Sequence, residues 1–161
     1  MKERAARPHG DTGPSGVAAL EAPPPRRRRV AESTVRIDAD RAGLFAFEAF
    51  IDNLRFILPS EHARLKLTGG EILDNLIRHS APLAEGCALV RVARRHSGLY
   101  LSFFFRSPSF AAYSKRLQDH EPIFDHRARR WHGMGLRMCR NLSASLIFRA
   151  GSIRDRVIIK F

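Results

Sequence analysis

The pattern of apolar and polar positions changes character at Ser33. From there Val35-Arg36-Ile37 alternates and predicts a short strand. Asp38 or Asp40 is placed to cap a helix that starts near Arg41. Leu44, Phe47, Phe50, Ile51, Leu54 and Leu58 then recur at spacings of three and four, the mark of one amphipathic helix, closed by Pro59. A second helix is expected from Ser60-Glu61, with Ser60 as its cap. It carries Leu65, Ile72, Leu73, Leu76 and Ile77 to about His79, and Pro82 marks its end.

Further along, Ala88 to Arg94 alternates as a strand, His96-Ser97-Gly98 has turn chemistry, and Leu99 to Phe105 returns as a more buried strand. Residues 106–132 show no period and read as irregular. Gly133-Met134-Gly135 then opens a third helix with Leu136, Met138, Cys139 and Leu142 on its apolar face. Leu146 to Arg149 and Ile153 to Phe161 form a closing hairpin around Ala150-Gly151-Ser152. This order implies an α+β fold, a two-layer α/β sandwich with a mixed β-sheet covered on one face by helices.

Residues 1–32 lack any such period. Pro23-Pro24-Pro25 and the run Arg26 to Arg29 leave few large side chains to offset the entropy of ordering, so a disordered basic arm is expected there, with one domain over 33–161. A chain of 161 residues with 44% hydrophobic content suits one domain with a real core. No apolar run reaches the roughly 18 residues that span a bilayer, and no apolar segment follows the basic N-terminus as in a signal peptide. With Cys87 and Cys139 far apart in sequence, the expectation is a cytoplasmic protein with two free thiols. Net charge is +12; residues 1–32 hold seven Lys/Arg against four Asp/Glu, a net of +3, which leaves +9 on the rest. Such a balance attracts phosphates or acidic partners.

The chemistry-bearing stretch is Gly70-Glu71-Ile72-Leu73-Asp74-Asn75-Leu76-Ile77-Arg78-His79. Glu71, Asn75 and His79 recur every four residues and so share one stripe of a helix. An Asn carbonyl oxygen is a hard ligand able to complete the shell of a phosphate-bound Mg²⁺, and a carboxylate one turn away can orient a hydroxyl or water beside it. His79 fits an ordinary residue at a helix C-terminus, favoured by the macrodipole. Gly69-Gly70 within this helix signals either close approach of a neighbour or a break. Gly133-Met134-Gly135-Leu136 adds a backbone that approaches an anion closely and a helix N-terminus that presents free N–H groups to it.

The pattern E-x-x-x-N-x-x-x-H on a helix, followed by a hairpin and then G-x-G-L at a helix start, resembles the histidine-kinase-like ATPases. Over residues 34–161 it looks most like the bacterial anti-sigma-factor serine kinases. The resemblance implies ATP and Mg²⁺ as cofactors, with Glu71 as general base or water-orienter and Asn75 on the magnesium ion. Gly133, Gly135 and Leu136 would lie at the phosphates, and residues 106–132 would form an ATP lid. It also implies a protein partner, a sigma factor or an anti-anti-sigma factor, and leaves a homodimer open. One box departs. Where the family's D-x-G-x-x-F reads the adenine amine, this chain has Phe105-Arg106-Ser107-Pro108-Ser109-Phe110. Phe105 replaces the reading Asp and Ser107 the Gly.

Losing that acceptor costs on the order of 1.5–3 kcal/mol, so ATP and GTP are expected to bind alike and poorly or not at all. Two readings follow: a regulatory serine kinase, or a pseudo-ATPase that keeps the fold as a protein-interaction module. A third, nucleic-acid binding through Arg26 to Arg29 and Arg127, Arg129, Arg130 and Trp131, has no recognised motif behind it. His120, His126 and His132 recur every six residues, which is neither helical nor strand spacing, so no metal site is expected there.

Overall fold

Alternation along β1 to β3 builds most of the architecture. In the computed structural model, which describes residues 31–80, 83–118, 122–127 and 129–161, with the side chains of 116–118 and 130–132 excepted, β1 runs Ala31–Asp38. Then α1 (Arg41–Asp52) and α2 (Pro59–His79) precede the hairpin β2 (Cys87–Arg95) and β3 (Gly98–Phe105). After it come α3 (Phe110–Gln118), the small hairpin β4 (Ile123–Asp125) and β5 (Arg130–His132), α4 (Met134–Leu142), β6 (Ser145–Arg149) and β7 (Asp155–Lys160). The expected arm falls almost wholly outside the described residues. Ala31 and Glu32, assigned to it from sequence, instead begin β1 opposite Arg94 and Ala93.

The main sheet has the order β1-β2-β3-β7-β6, and every neighbouring pair is antiparallel. The expected mixed sheet is therefore corrected to an antiparallel one. The α+β class stands. Ile37, Val90, Val92, Leu101, Phe103, Val157 and Ile159 point to one side, where they are fully buried with Phe47 and Ile51 of α1 and Leu65, Ile72, Leu73 and Leu76 of α2. Each such side chain removed from water stabilises the fold by about 1.5–3 kcal/mol before entropy is counted.

Two helix boundaries differ from the sequence expectation. The first helix stops at Asp52, because Asn53 turns back and donates from both its backbone and its side-chain nitrogen to the carbonyl of Ala49. Leu54 and Ile57 continue into the core from a loop, so apolar spacing outlasts the helix. Pro59 opens α2 rather than closing α1, where its missing N–H costs nothing. Leu58, not Ser60, is the N-cap residue, and Glu61 reaches back to accept from the Leu58 N–H at 2.7 Å. At α1 the cap is Asp40, which accepts from the Gly43 N–H at 2.8 Å.

Residues 106–132 are not irregular throughout. They hold α3 and the β4–β5 hairpin, which makes the helix at Met134 the fourth among the described residues. In the closing hairpin only the second strand starts later than expected, since β7 begins at Asp155 rather than Ile153. Glycines 69 and 70 interrupt nothing, for α2 is continuous through them. At Gly69 an added Cβ would lie 2.2 Å from the Phe47 ring and 2.8 Å from Leu101, whereas at Gly70 nothing comes within 4 Å. Gly69 thus marks close approach of a neighbouring helix and the sheet.

Candidate functional site

Glu71 and Asn75 lie one turn apart on α2. The Asn75 side-chain amide donates to the Glu71 carboxylate at 2.7 Å and to the Glu71 carbonyl at 2.8 Å, so the two polar groups act as one unit. The far wall is the start of α4. Gly133 caps that helix with φ 81°, a left-handed conformation that favours glycine. One residue into the helix, Gly135 lies against Glu71. A Cβ added there would stand 1.9 Å from Glu71 Oε1 and 2.0 Å from its carboxyl carbon. The structure thus brings Glu71, Asn75 and the Gly133–Gly135 turn together, while Leu136 turns into the core.

Packing between α2 and α4 holds this geometry. Cys139 donates its thiol to the Thr68 carbonyl at 3.6 Å, and the Arg64 guanidinium donates to the Leu142 carbonyl at 2.6 and 3.2 Å, closing the C-terminal end of α4. Burial, aided by the negative charge of Glu71, pushes the Cys139 thiol up to about 12. Both cysteines are free and buried, and Cys139 has a structural position here.

Sequence reasoning missed a third member, Tyr113 on α3. Its hydroxyl donates to Asn75 Oδ1 at 3.5 Å, and its ring stacks on His79 with centroids 5.2 Å apart. His79 therefore does more than end a helix. Burial, followed by the nearby Glu71 charge, pushes Tyr113 up to about 12. The signal was present in the spacing of Phe110, Tyr113, Ser114 and Leu117, hidden by the basic residues around it. Chemically the cluster offers hard oxygens, the Asn75 carbonyl and the Glu71 carboxylate, beside a helix N-terminus. That donor set suits Mg²⁺ held against phosphate.

The box that departs from the resemblance lies at the end of β3. Phe105 is 4% exposed, and its ring meets the fully buried Phe110 edge to face at 4.8 Å, so it belongs to the core. Opposite it across the sheet stands Asp155, also buried, which accepts from the Ser107 N–H at 2.9 Å and the Gly151 N–H at 3.2 Å. Ser107 donates its hydroxyl to the Ser80 carbonyl at 2.6 Å. This carboxylate is committed to two turns, and sequence reasoning did not single it out. An aromatic ring thus stands where the resemblance expects the adenine-reading carboxylate, and the nearby Asp155 is buried and already accepts from two backbone N–H groups.

The remaining expected groups are dispersed or undescribed. Arg26 to Arg29, His120 and the side chains of Arg130, Trp131 and His132 lie outside the described residues. Arg127 donates its backbone N–H to Asp125 at 2.9 Å, and Arg129 holds φ 49° in the β4–β5 turn. Among the described residues no three His, Cys, Asp or Glu side chains gather as a metal site, and no helix is long and apolar enough to cross a membrane. The sequence matches no protein-family model and no curated protein.

Proposed function

We propose that this domain is a regulatory module of the histidine-kinase-like ATPase type, one that keeps the phosphate-and-magnesium end of the site and has lost the adenine-reading end. The observation that carries it is the junction of the Glu71–Asn75 unit with Gly135 at the N-terminus of α4. Two motifs separated by about sixty residues of sequence meet there with the chemistry the resemblance assigns them. The two-layer sandwich of that family is compatible with an antiparallel sheet carrying its buried side toward the helices.

In this reading the protein works by holding a partner, a sigma factor or an anti-anti-sigma factor, and nucleotide is at most a weak ligand. Phe105 supports the second half, because its ring is packed in the core against Phe110 rather than lining a polar slot. Phosphoryl transfer to a serine would require Asn75 to exchange its contact with Tyr113 for the magnesium ion, and Glu71 to exchange its contact with Asn75 for the hydroxyl.

Thermal shift with two Mg²⁺-loaded ligands tests the proposal. Tripolyphosphate and ATP are expected to raise the melting temperature equally and modestly, and Asn75→Ala to abolish both effects. Stabilisation by ATP with none by tripolyphosphate would show that the base is read after all.

A further inference from the structure

The sheet has a second face, turned away from the helix layer. Strand alternation places Tyr100, Ser102 and Phe104 of β3 along its middle, between Arg91 and Arg95 of β2 and Arg156 and Lys160 of β7. The Arg91 guanidinium lies over the Phe104 ring at 5.0 Å, and Arg95 and Lys160 lie over Tyr100 at 5.5 and 6.0 Å. Two shallow cavities open here. One of about 150 Å³ is formed by Arg91, Ala93, Arg95, Tyr100, Ser102 and Ile158; the other, of about 240 Å³, lies between Arg36, Leu89, Phe104 and Arg154.

Charge on this face is one-sided. The strands contribute Arg36, Arg91, Arg95, Arg149, Arg156 and Lys160 against Glu32 and Asp38. Glu32 faces Arg91 at 3.8 Å, and Arg36 is neutralised by Glu85 at 3.0 Å. Arg95, Arg149, Arg156 and Lys160 have no acidic partner among the described residues. Aromatic rings flanked by cations, most of them without an acidic partner among the described residues, on a broad sheet match one ligand chemistry closely: planar bases to stack and phosphates to neutralise.

We propose that this open face binds single-stranded nucleic acid, with bases on Tyr100 and Phe104 and the backbone tracking the cations of β2 and β7. Four residues along a strand place the two rings about 13 Å apart, a span that successive bases of a single strand can bridge. A duplex keeps its bases stacked on one another, so the rings would have nothing to hold. A second copy of the chain would oppose two cationic faces. Residues 1–30 carry seven Lys/Arg against three Asp/Glu and share the same sign, so their charge does not favour them as cover. The proposal is independent of the Glu71 site, which lies in the helix layer on the other side of the sheet.

The test is fluorescence anisotropy of the full chain with a labelled oligouridylate of about 12 nucleotides. Saturable, salt-sensitive binding is expected, with an RNA duplex of equal length binding more weakly. Tyr100→Ala and Phe104→Ala should each weaken it roughly 5- to 100-fold, and Arg95→Glu with Lys160→Glu should weaken it and flatten the salt dependence. Circular dichroism checks the fold. If an alanine variant unfolds, the charge-reversed pair decides alone. Unchanged affinity in these variants would place binding on the N-terminal arginines and overturn the proposal. So would failure to bind the oligonucleotide, or binding to phosphatidylserine vesicles that the oligonucleotide does not displace.

Discussion

The carboxylate of Glu71 occupies the space where any residue but glycine would place a Cβ at position 135. This contact couples α2 to α4 at the candidate site, and it has a measurable signature. Gly135→Ala should leave the melting temperature nearly unchanged, because the clash is with the movable end of a side chain and alanine favours a helix by about 1 kcal/mol. It should nonetheless displace the carboxylate from Asn75. In a Glu71→Ala background the same substitution should become stabilising, and a double-mutant cycle in denaturant should give a coupling of about 0.5–3 kcal/mol. Additive effects would mean the two residues do not touch.

Gly69 and Gly70 should respond in opposite directions. Gly69→Ala drives a methyl into the fully buried Phe47 and should cost about 1–3 kcal/mol. Gly70→Ala meets open space and should stabilise by up to about 1 kcal/mol. Chemical denaturation of both variants checks this, and equal effects would contradict the packing described.

The chain has two tyrosines, and they should titrate apart. The Ser97 hydroxyl bond, with smaller help from Lys160 and Arg95, holds Tyr100 below the ordinary phenol value, while burial pushes Tyr113 up to about 12. A spectrophotometric titration should show two steps, and Tyr100→Phe should remove the earlier one. The raised Tyr113 also has a stability consequence. The unfolded phenol ionises near 10, so stability should fall as pH rises from about 10 towards 12, an effect lost in Tyr113→Phe.

At the acid end the pair to watch is Glu61 and Arg94. The guanidinium bonds both carboxylate oxygens, and this, with the Leu58 N–H, holds Glu61 below its usual range against a smaller opposing push from burial. A depressed carboxyl value stabilises the fold above the unfolded value near 4.3, and that contribution is lost as pH falls through the folded one. Glu61→Gln should therefore cost on the order of 1 kcal/mol at neutral pH, with the pair only partly shielded from solvent, and the difference from wild type should shrink as pH falls below about 4.3. A pH-independent difference in melting would show the ion pair contributes nothing.

Much of the strand pattern was legible in the sequence, because β1 to β3 bury one face and alternate accordingly. Strand direction was not legible. The crossover from β3 to β7 carries α3, a hairpin, α4 and β6, and no local pattern states which way the last strand returns. Leu54 and Ile57 show a different limit, since they keep helical spacing in a loop that Asn53 has already broken from the helix. At the site, Glu71, Asn75 and Gly135 were legible from motif spacing. Tyr113 was not, because the sequence of α3 sets lysine and arginine among its few apolar residues and reads as polar loop. Asp155 was missed for a simpler reason: its partners are backbone N–H groups, which leave no trace in side-chain patterns.

The central claim is that phosphate can be met at Asn75 and Gly135 while Phe105, packed in the core, leaves adenine unread. Phe105→Asp is a poor probe of it, since the new carboxylate would be buried opposite Asp155 and would cost several kcal/mol in its own right. Isothermal titration calorimetry of the unmodified chain with Mg²⁺–ATP and Mg²⁺–GTP tests it most directly. Weak binding of both nucleotides with like affinity is the expected result, and no binding of either would contradict the phosphate half of the claim. Micromolar binding of ATP with a tenfold or greater preference over GTP, roughly 1.4 kcal/mol, would contradict the adenine half and restore an adenine-specific kinase.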